Sequence, residues 1–398
     1  MAVVGARPNI VKIAPICHAF GRHGLPIEIV HTGQHYDYRM SGLFFRQLGV
    51  PRPVVNLAVG SGTHAWQTAE VMRRFEPVVA DRKPGLVLVI GDVNSTAACA
   101  LVAAKMGVRL AHVEAGLRSF DRTMPEEINR IVTDVLADDL FVTEPAGVRN
   151  LRREGIAAKR IHLVGDVLAD ALRVYQTVVK QSDILPRLFR VARAEEVGAY
   201  CLLTLHRPAN VDNPTVLRRL MRAIEEISRV APVVFPVHPR TQQGLRAVLS
   251  ARGRGGASSL VCTDPLGYGD FMRLLSGAKL LLTDSGGAQQ EAFILGVPCL
   301  TLRETTERPL TLRGGMNRLL GSDERLIVRE ALAILSGSRA PRRRNYWYMD
   351  GQAADRIAIA LARVIREPKG FVNSPPCRRY LSAARPQRGA SRPAQGQS

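Results

Sequence analysis

The sequence predicts an α/β protein built from two doubly wound domains that face each other across a cleft. Three observations predict this. Short apolar runs of strand length alternate with helix-compatible stretches. These runs fall into two series, separated by a polar, poorly patterned stretch near Gln181 to Glu196. A chain of 398 residues also exceeds one ordinary core and suits two domains plus appendages.

The first series is Ile27-Glu28-Ile29-Val30, Leu86-Val87-Leu88-Val89-Ile90, Arg109-Leu110-Ala111-His112-Val113, Leu140-Phe141-Val142-Thr143 and Ile161-His162-Leu163-Val164. Its central runs end in Gly, Asp, Glu or Thr before a helical pattern, as parallel strands wound with helices do. The second series is Tyr200-Cys201-Leu202-Leu203-Thr204, Val233-Val234-Phe235-Pro236-Val237, Leu260-Val261-Cys262, Leu280-Leu281-Leu282-Thr283 and Pro298-Cys299-Leu300-Thr301-Leu302. Only Met1 to Val4 precede Gly5, so the first strand is expected to be short. The expected division is 1–168, 169–350, a helix over 351–368 that packs back towards the first domain, and a basic, disordered tail over 369–398, rich in Pro, Arg, Ser and Gly.

Composition excludes several classes. Hydrophobic residues at 46% support a large core, and no apolar run is long enough to cross a membrane. Met1 leads into Ala2-Val3-Val4-Gly5 without a signal-peptide pattern, so the cytoplasm is the expected compartment. The six cysteines (Cys17, Cys99, Cys201, Cys262, Cys299, Cys377) show no paired spacing and read as reduced core residues. A net charge of +20 raises the possibility of nucleic-acid binding, but aromatic residues at 5% are too dispersed for base stacking. An anionic small substrate accounts for only part of that charge.

In doubly wound sheets ligands bind beyond the carboxyl ends of the strands, which directs attention to the strand exits. Gly5-Ala6-Arg7-Pro8-Asn9-Ile10-Val11-Lys12 joins a strand to a helix and carries two cations, Arg7 and Lys12. It fits an anion site at a helix start, but taken alone an ordinary turn with solvated charges is the better reading. Thr283-Asp284-Ser285-Gly286-Gly287 is a stronger phosphate signal, because its glycines let backbone approach an anion at the next helix, with Glu291 one turn on to meet ribose hydroxyls. The bland alternative leaves Glu291 merely offsetting the helix dipole.

Glu114, Asp121, Glu126 and Glu127, with Arg118, Arg122 and Arg130, form a dense ionisable cluster, and Asp92 adds a carboxylate at the neighbouring exit. Acid and base catalysis on a weakly acidic C–H bond needs carboxyls whose environments differ, and such a cluster can supply them. Glu126 and Glu127 also fit a helix N-terminus after Pro125, and for Glu127 this is at least as good a reading. His206 and His238 follow two strands of the second domain, each with an Arg (Arg207, Arg240) close behind, which suits pyrophosphate contact or proton transfer. No His/Glu spacing suits a metal.

Taken in order, Gly5-Ala6-Arg7-Pro8-Asn9, His31-Thr32-Gly33-Gln34-His35, Gly91-Asp92, His112-Val113-Glu114-Ala115-Gly116-Leu117-Arg118, Pro125-Glu126-Glu127-Ile128-Asn129-Arg130, Thr204-Leu205-His206-Arg207, Asp284-Ser285-Gly286-Gly287 and Thr306-Glu307-Arg308-Pro309 resemble the non-hydrolysing UDP-N-acetylglucosamine 2-epimerases, over about residues 3 to 365. The resemblance implies two Rossmann-like domains of glycosyltransferase-B type, a homodimer, a UDP-sugar substrate, and no NAD, metal or nucleic acid. It implies Asp92, Glu114, Glu126 and His206 as catalytic residues. Arg7, Lys12, Arg118, His238, Phe271, Ser285, Gly286, Gly287, Glu291 and Arg308 are the implied substrate-binding residues, and Gln34, His35 and Arg207 the implied allosteric set. The sequence departs from the family pattern at Asn9 and Ala209, where many members carry Glu, at Gln290, which replaces the first Glu of a pair, and at Asp166, which replaces an Asn. A hydrolysing relative, a glycosyltransferase of similar fold and a non-catalytic nucleotide-sugar-binding protein are the competing readings.

Overall fold

The computed structural model describes residues 1–33, 48–250, 259–339, 341 and 346–366. Two parallel sheets organise them. The first holds seven strands in the order β3-β2-β1-β4-β5-β6-β7: β1 (Ala2–Val4), β2 (Ile29–His31), β3 (Val55–Asn56), β4 (Leu86–Ile90), β5 (Arg109–Ala115), β6 (Asp139–Val142) and β7 (Ile161–Leu163). The second holds six in the order β10-β9-β8-β11-β12-β13: β8 (Cys201–Thr204), β9 (Val233–Pro236), β10 (Leu260–Thr263), β11 (Leu280–Thr283), β12 (Cys299–Thr301) and β13 (Asn317–Leu319). This is the two-domain doubly wound architecture the sequence predicts.

The apolar runs form strands because both sheet faces are covered. All five residues of β4 and all four of β11 are buried, as a strand with helices above and below requires. The Ala-rich helix Asn94–Lys105 is almost wholly buried between helices His64–Arg82 and Pro125–Leu136. Its small side chains permit that close approach. β2 begins two residues later than expected, because it pairs with β1 only from Ile29, opposite Ala2, and Pro26 brings no N–H to a ladder. Strands β3 and β13 escape the sequence pattern, being two and three residues long and partly polar.

In the first sheet the strand order reverses between β1 and β4, and in the second between β8 and β11. Those are the points where a doubly wound sheet opens a crevice for a ligand. The turns that follow are Gly5 onwards, Gly91-Asp92, His206-Arg207 and Asp284-Ser285.

Helix Ala353–Arg366 packs on helices Arg7–Arg22 and Val167–Lys180. The Asp170 carboxylate accepts the N–H groups of Ala353 and Ala354 at 3.2 and 2.9 Å, capping its start. One apolar cluster runs from Ile10 and Ile13 through Leu168 and Tyr175 to Met272 and Leu281, so helices between the sheets share a core. Cys17, Cys99, Cys201 and Cys299 are buried as expected, but Cys262 is exposed, because β10 is an edge strand. Among the described residues no helix is long and apolar enough to cross a membrane. The tail over 369–398 and Cys377 lie outside the described residues.

Candidate active site

Glu114 sits at a defect in β5. The register against β6 shifts between Val113 and Ala115, and Glu114 takes a left-handed φ of 73°. A bulge of this kind re-aims one side chain out of the strand's alternation. Gly91, with φ 70°, lies beside it, and a Cβ there would stand 3.3 Å from Glu114 Oε2.

A fully buried network holds both strand exits. His112 meets Asp134 through Nδ1 at 2.7 Å and the Gly91 carbonyl through Nε2 at 2.8 Å. Asp134 also accepts the Gly116 N–H at 3.0 Å and pairs with Arg118 at 2.8 Å. Burial opposes ionisation of Asp134, but His112 and Arg118 outweigh it and draw the carboxyl below its usual range. Arg118 is committed to Asp134 and, at 2.6 Å, to Glu154. Its guanidinium therefore braces the β5 exit.

The cleft is closed across its middle. Glu114 is 2% exposed and pairs with Lys12 of helix Arg7–Arg22 and, at 2.8 Å, with Arg308 of the second domain. Burial alone would push the Glu114 carboxyl up; Lys12 and then Arg308 outweigh it and hold the group at about 2. Arg308 is 7% exposed, and its Nε and Nη1 have no hydrogen-bond partner among the described residues. The Arg207 guanidinium crosses to Glu126 at 3.3 Å.

Asp92 accepts Arg130 at 2.6 Å, and Arg130 reaches Glu127 at 2.8 Å. Glu127 is buried and accepts the N–H groups of Ser119 and Phe120 at 2.9 and 3.0 Å, which fixes the loop ahead of its helix. It is therefore a scaffold carboxylate, while Glu126 faces the second domain. The Gly5 turn differs from the simple anion cradle its sequence suggested: Asn9 Oδ1 accepts the N–H groups of Gly5 and Ala6 at 3.3 and 3.0 Å, and its amide donates to the Ile90 carbonyl at 2.9 Å. Those two donors are satisfied internally.

In the second domain Asp284 is the organising group. Fully buried, it accepts the backbone N–H groups of His206 and Arg207 at 3.1 and 2.9 Å, the Asn210 amide at 3.1 Å, and His206 Nδ1 at 3.0 Å. Burial opposes its ionisation, and His206 with the backbone donors still pulls it below the usual range. His206 is 33% exposed, with the His238 ring 5.6 Å away. Ser285 caps helix Gly286–Leu295, accepting the Ala288 N–H at 3.4 Å. A Cβ at Gly286 would collide with the Glu307 carboxylate, whereas one at Gly287 would meet only Ser285 Oγ at 3.9 Å. Glu291 lies farther along that helix, buried, and Phe271 sits in helix Tyr268–Gly277, partly buried against the core. Gln34 and His35 lie outside the described residues, as does the Arg7 side chain.

Two further carboxylates belong to this neighbourhood: Glu144, which the motif reading passes over, and Asp166, which it notes only as a departure from the family pattern. Asp166 is buried, accepts the Gln290 side-chain amide across the domains, and is pushed up to about 6 by burial. Glu144 lines a cavity of about 200 Å³ with Arg118 and Glu307, and burial pushes it up to about 7. Glu144 lies just beyond β6 and Asp166 just beyond β7, so inspecting every strand exit would have found both.

The profile of the UDP-N-acetylglucosamine 2-epimerase family matches residues 18–362. The chain belongs to that family. It is 39% identical over 363 residues to the UDP-N-acetylglucosamine 2-epimerase of Methanocaldococcus jannaschii, covering 90% of this chain and 97% of that one. It is 41% identical over 368 residues to the UDP-2,3-diacetamido-2,3-dideoxy-D-glucuronate 2-epimerase of Pseudomonas aeruginosa, covering 92% and 99%. The crystal structure of the Methanocaldococcus jannaschii UDP-GlcNAc 2-epimerase in complex with UDP-GlcNAc and UDP superposes with a TM-score of 0.80 at 38% identity, over 91% of this chain and 99% of that one. Epimerase chemistry thus meets a cleft in which a strained carboxylate from one domain faces an arginine of the other.

Proposed function

We propose that this epimerase interconverts UDP-N-acetylglucosamine and UDP-N-acetylmannosamine without net hydrolysis. A carboxylate accepts the C2 proton. The C1–O bond to UDP then breaks with its electron pair going to UDP, leaving 2-acetamidoglucal. Protonation of C2 from the opposite face, with UDP re-forming the C1–O bond, completes inversion.

The observation that carries this reading is the Glu114–Arg308 pair at 2.8 Å, which brings a candidate base against a candidate diphosphate cation inside a nearly dry cleft. An elimination that is to be reversed needs the glucal and UDP kept together and away from water, and burial of both residues favours that. Asp92, Glu114, Glu126 and His206 are the acid and base candidates. Lys12 and Arg308 stabilise the departing diphosphate, an electrostatic contribution of several kcal/mol in a preorganised site. Ser285, Gly286 and Gly287 meet the diphosphate at a helix start, with Glu291 on the ribose. Homodimer assembly belongs to the same proposal; exposed Trp66, Ile128 and Val135, on two helices of the first domain, offer it apolar surface.

Proton NMR of the protein with UDP-N-acetylglucosamine in deuterated water, without added NAD or metal, tests the reading. Deuterium at C2 of both UDP-sugars supports it. Free N-acetylmannosamine with UDP establishes the hydrolysing reaction instead. Turnover confined to a UDP-diacetamido-uronate transfers the mechanism to the substrate class named for the Pseudomonas relative.

A further inference from the structure

A base must be able to take a proton, and Glu114 as it is paired in this structure cannot do so readily. Its two oxygens are divided between two cations: Lys12 engages Oε2 from the first domain and Arg308 engages Oε1 from the second. These are the same two side chains that the UDP-sugar reading gives to the diphosphate. Each cation gives Glu114 a direct hydrogen bond, and Arg308 keeps two N–H-bearing nitrogens unpartnered among the described residues in a buried position. A buried guanidinium with spare donors is poised for a ligand richer in acceptors than one carboxylate oxygen.

We infer that Lys12 and Arg308 are shared cations: paired with Glu114 they neutralise it, and the diphosphate of an entering UDP-sugar draws them away, leaving Glu114 free to accept the C2 proton. This rests on the UDP-sugar reading above. The base is thereby active only when the leaving group is seated. When product departs the cations return, and the Glu114–Arg308 contact joins the two domains again.

The sign of the accompanying proton change follows from the surroundings. Glu114 stands at about 2 because the cations outweigh burial. With the cations transferred to a diphosphate, burial is unopposed and an anion lies close by, so its proton affinity rises. Asp166 faces the same cations and also feels Glu114, and Glu144 and Glu307 feel Arg308, so these carboxylates are also positioned to respond.

Calorimetric titration of the full-length protein with UDP-N-acetylglucosamine, from about pH 5 to 8 in two buffers of different ionisation enthalpy at each pH, reads this directly. The diphosphate of that ligand is esterified at both ends and carries no proton to exchange in this range, and epimerisation itself releases none. Binding should be accompanied by partial proton uptake in the wild type that grows as the pH is lowered towards about 5 and vanishes towards about pH 8, where bound Glu114 stays ionised and able to accept the C2 proton. Glu114→Gln should abolish most of that uptake and bind about tenfold more tightly, since no buried ion pair has to be broken first. Binding without proton uptake in the wild type at every pH from about 5 to 8, which needs no variant, overturns the inference and leaves the UDP-sugar reading intact. Uptake that persists in Glu114→Gln also overturns it, by moving the response to Asp166 or Glu144, which Asp166→Asn and Glu144→Gln then tell apart. Failure to bind the UDP-sugar removes both.

Discussion

The Gln290 side-chain amide donates to the Asp166 carboxylate across the two domains, with both residues buried. At both positions the family resemblance implies the other residue type, Asn at 166 and Glu at 290. Brought together, the departures are one exchange: amide and carboxylate have traded places and the pair keeps its single charge. Gln290→Glu alone should set two carboxylates against each other in a dry site and cost about 2–4 kcal/mol. The double variant Asp166→Asn/Gln290→Glu should return to within about 1 kcal/mol of wild type, because contacting sites couple. Urea unfolding of the three proteins checks this; additive losses would show that the pair does not act as a unit.

Asp166 also leaves a mark on stability as a function of pH. Its folded value is about 6 against an ordinary 3.8, raised chiefly by burial. Between those values the native state binds more protons than the unfolded one, so this residue makes stability fall as pH rises through that window. Asp170 and Glu144, raised to about 6 and about 7, act in the same direction. Glu114 and Glu307, both held at about 2, contribute stability present above the unfolded carboxyl value and lost only as pH falls from there towards about 2. Asp166→Asn should therefore flatten the fall in stability between about pH 4 and 6. Denaturant midpoints across that range that match the wild type in slope would remove Asp166 from the titration.

The two sheets were legible because each strand between two helix layers is a continuous apolar run, as β4 and β11 are. The strand exits then led to Asp92, Glu114, His206 and Ser285 by position alone. What escaped was pairing. Asn9 closing on the N–H groups of Gly5 and Ala6, Arg118 turning to Asp134 and Glu154, and Asp284 beneath His206 depend on contacts from 3 to 78 positions apart in the chain. Charge type at a strand exit says that a side chain is near the cleft. Whether it faces a ligand or a neighbour is settled by packing.

Gly91 is a test of the Glu114 geometry. Its φ of 70° disfavours any side chain, and a Cβ would come within 3.3 Å of Glu114 Oε2 and 3.6 Å of Asn9 Nδ2. Gly91→Ala should cost about 1–2 kcal/mol through backbone strain. Because the new methyl presses on the Glu114 carboxylate, kcat should fall by more than KM rises. A variant that loses stability but keeps wild-type kcat would show that the Glu114 carboxylate tolerates displacement.

Asp284 gives the sharpest distinction between holding the fold and serving the chemistry. Its carboxylate accepts His206 Nδ1 and three further N–H donors, so His206 is oriented by a group that itself cannot shift. With Nδ1 engaged, proton exchange at the ring falls to Nε2. Asp284→Asn replaces one acceptor oxygen by an NH₂ facing donors, and some of those contacts must be lost, at about 1–3 kcal/mol. Losing the orienting carboxylate should also lower kcat by about 100-fold or more, the scale of a misplaced acid or base. Asp284→Glu, which restores the charge on a longer arm, should recover part of the rate if orientation is the role. Steady-state rates measured beside thermal unfolding separate the cases. A rate loss that merely follows the unfolded fraction would make Asp284 a structural residue, whereas a loss in fully folded protein, with an altered pH–rate profile, would tie it to His206.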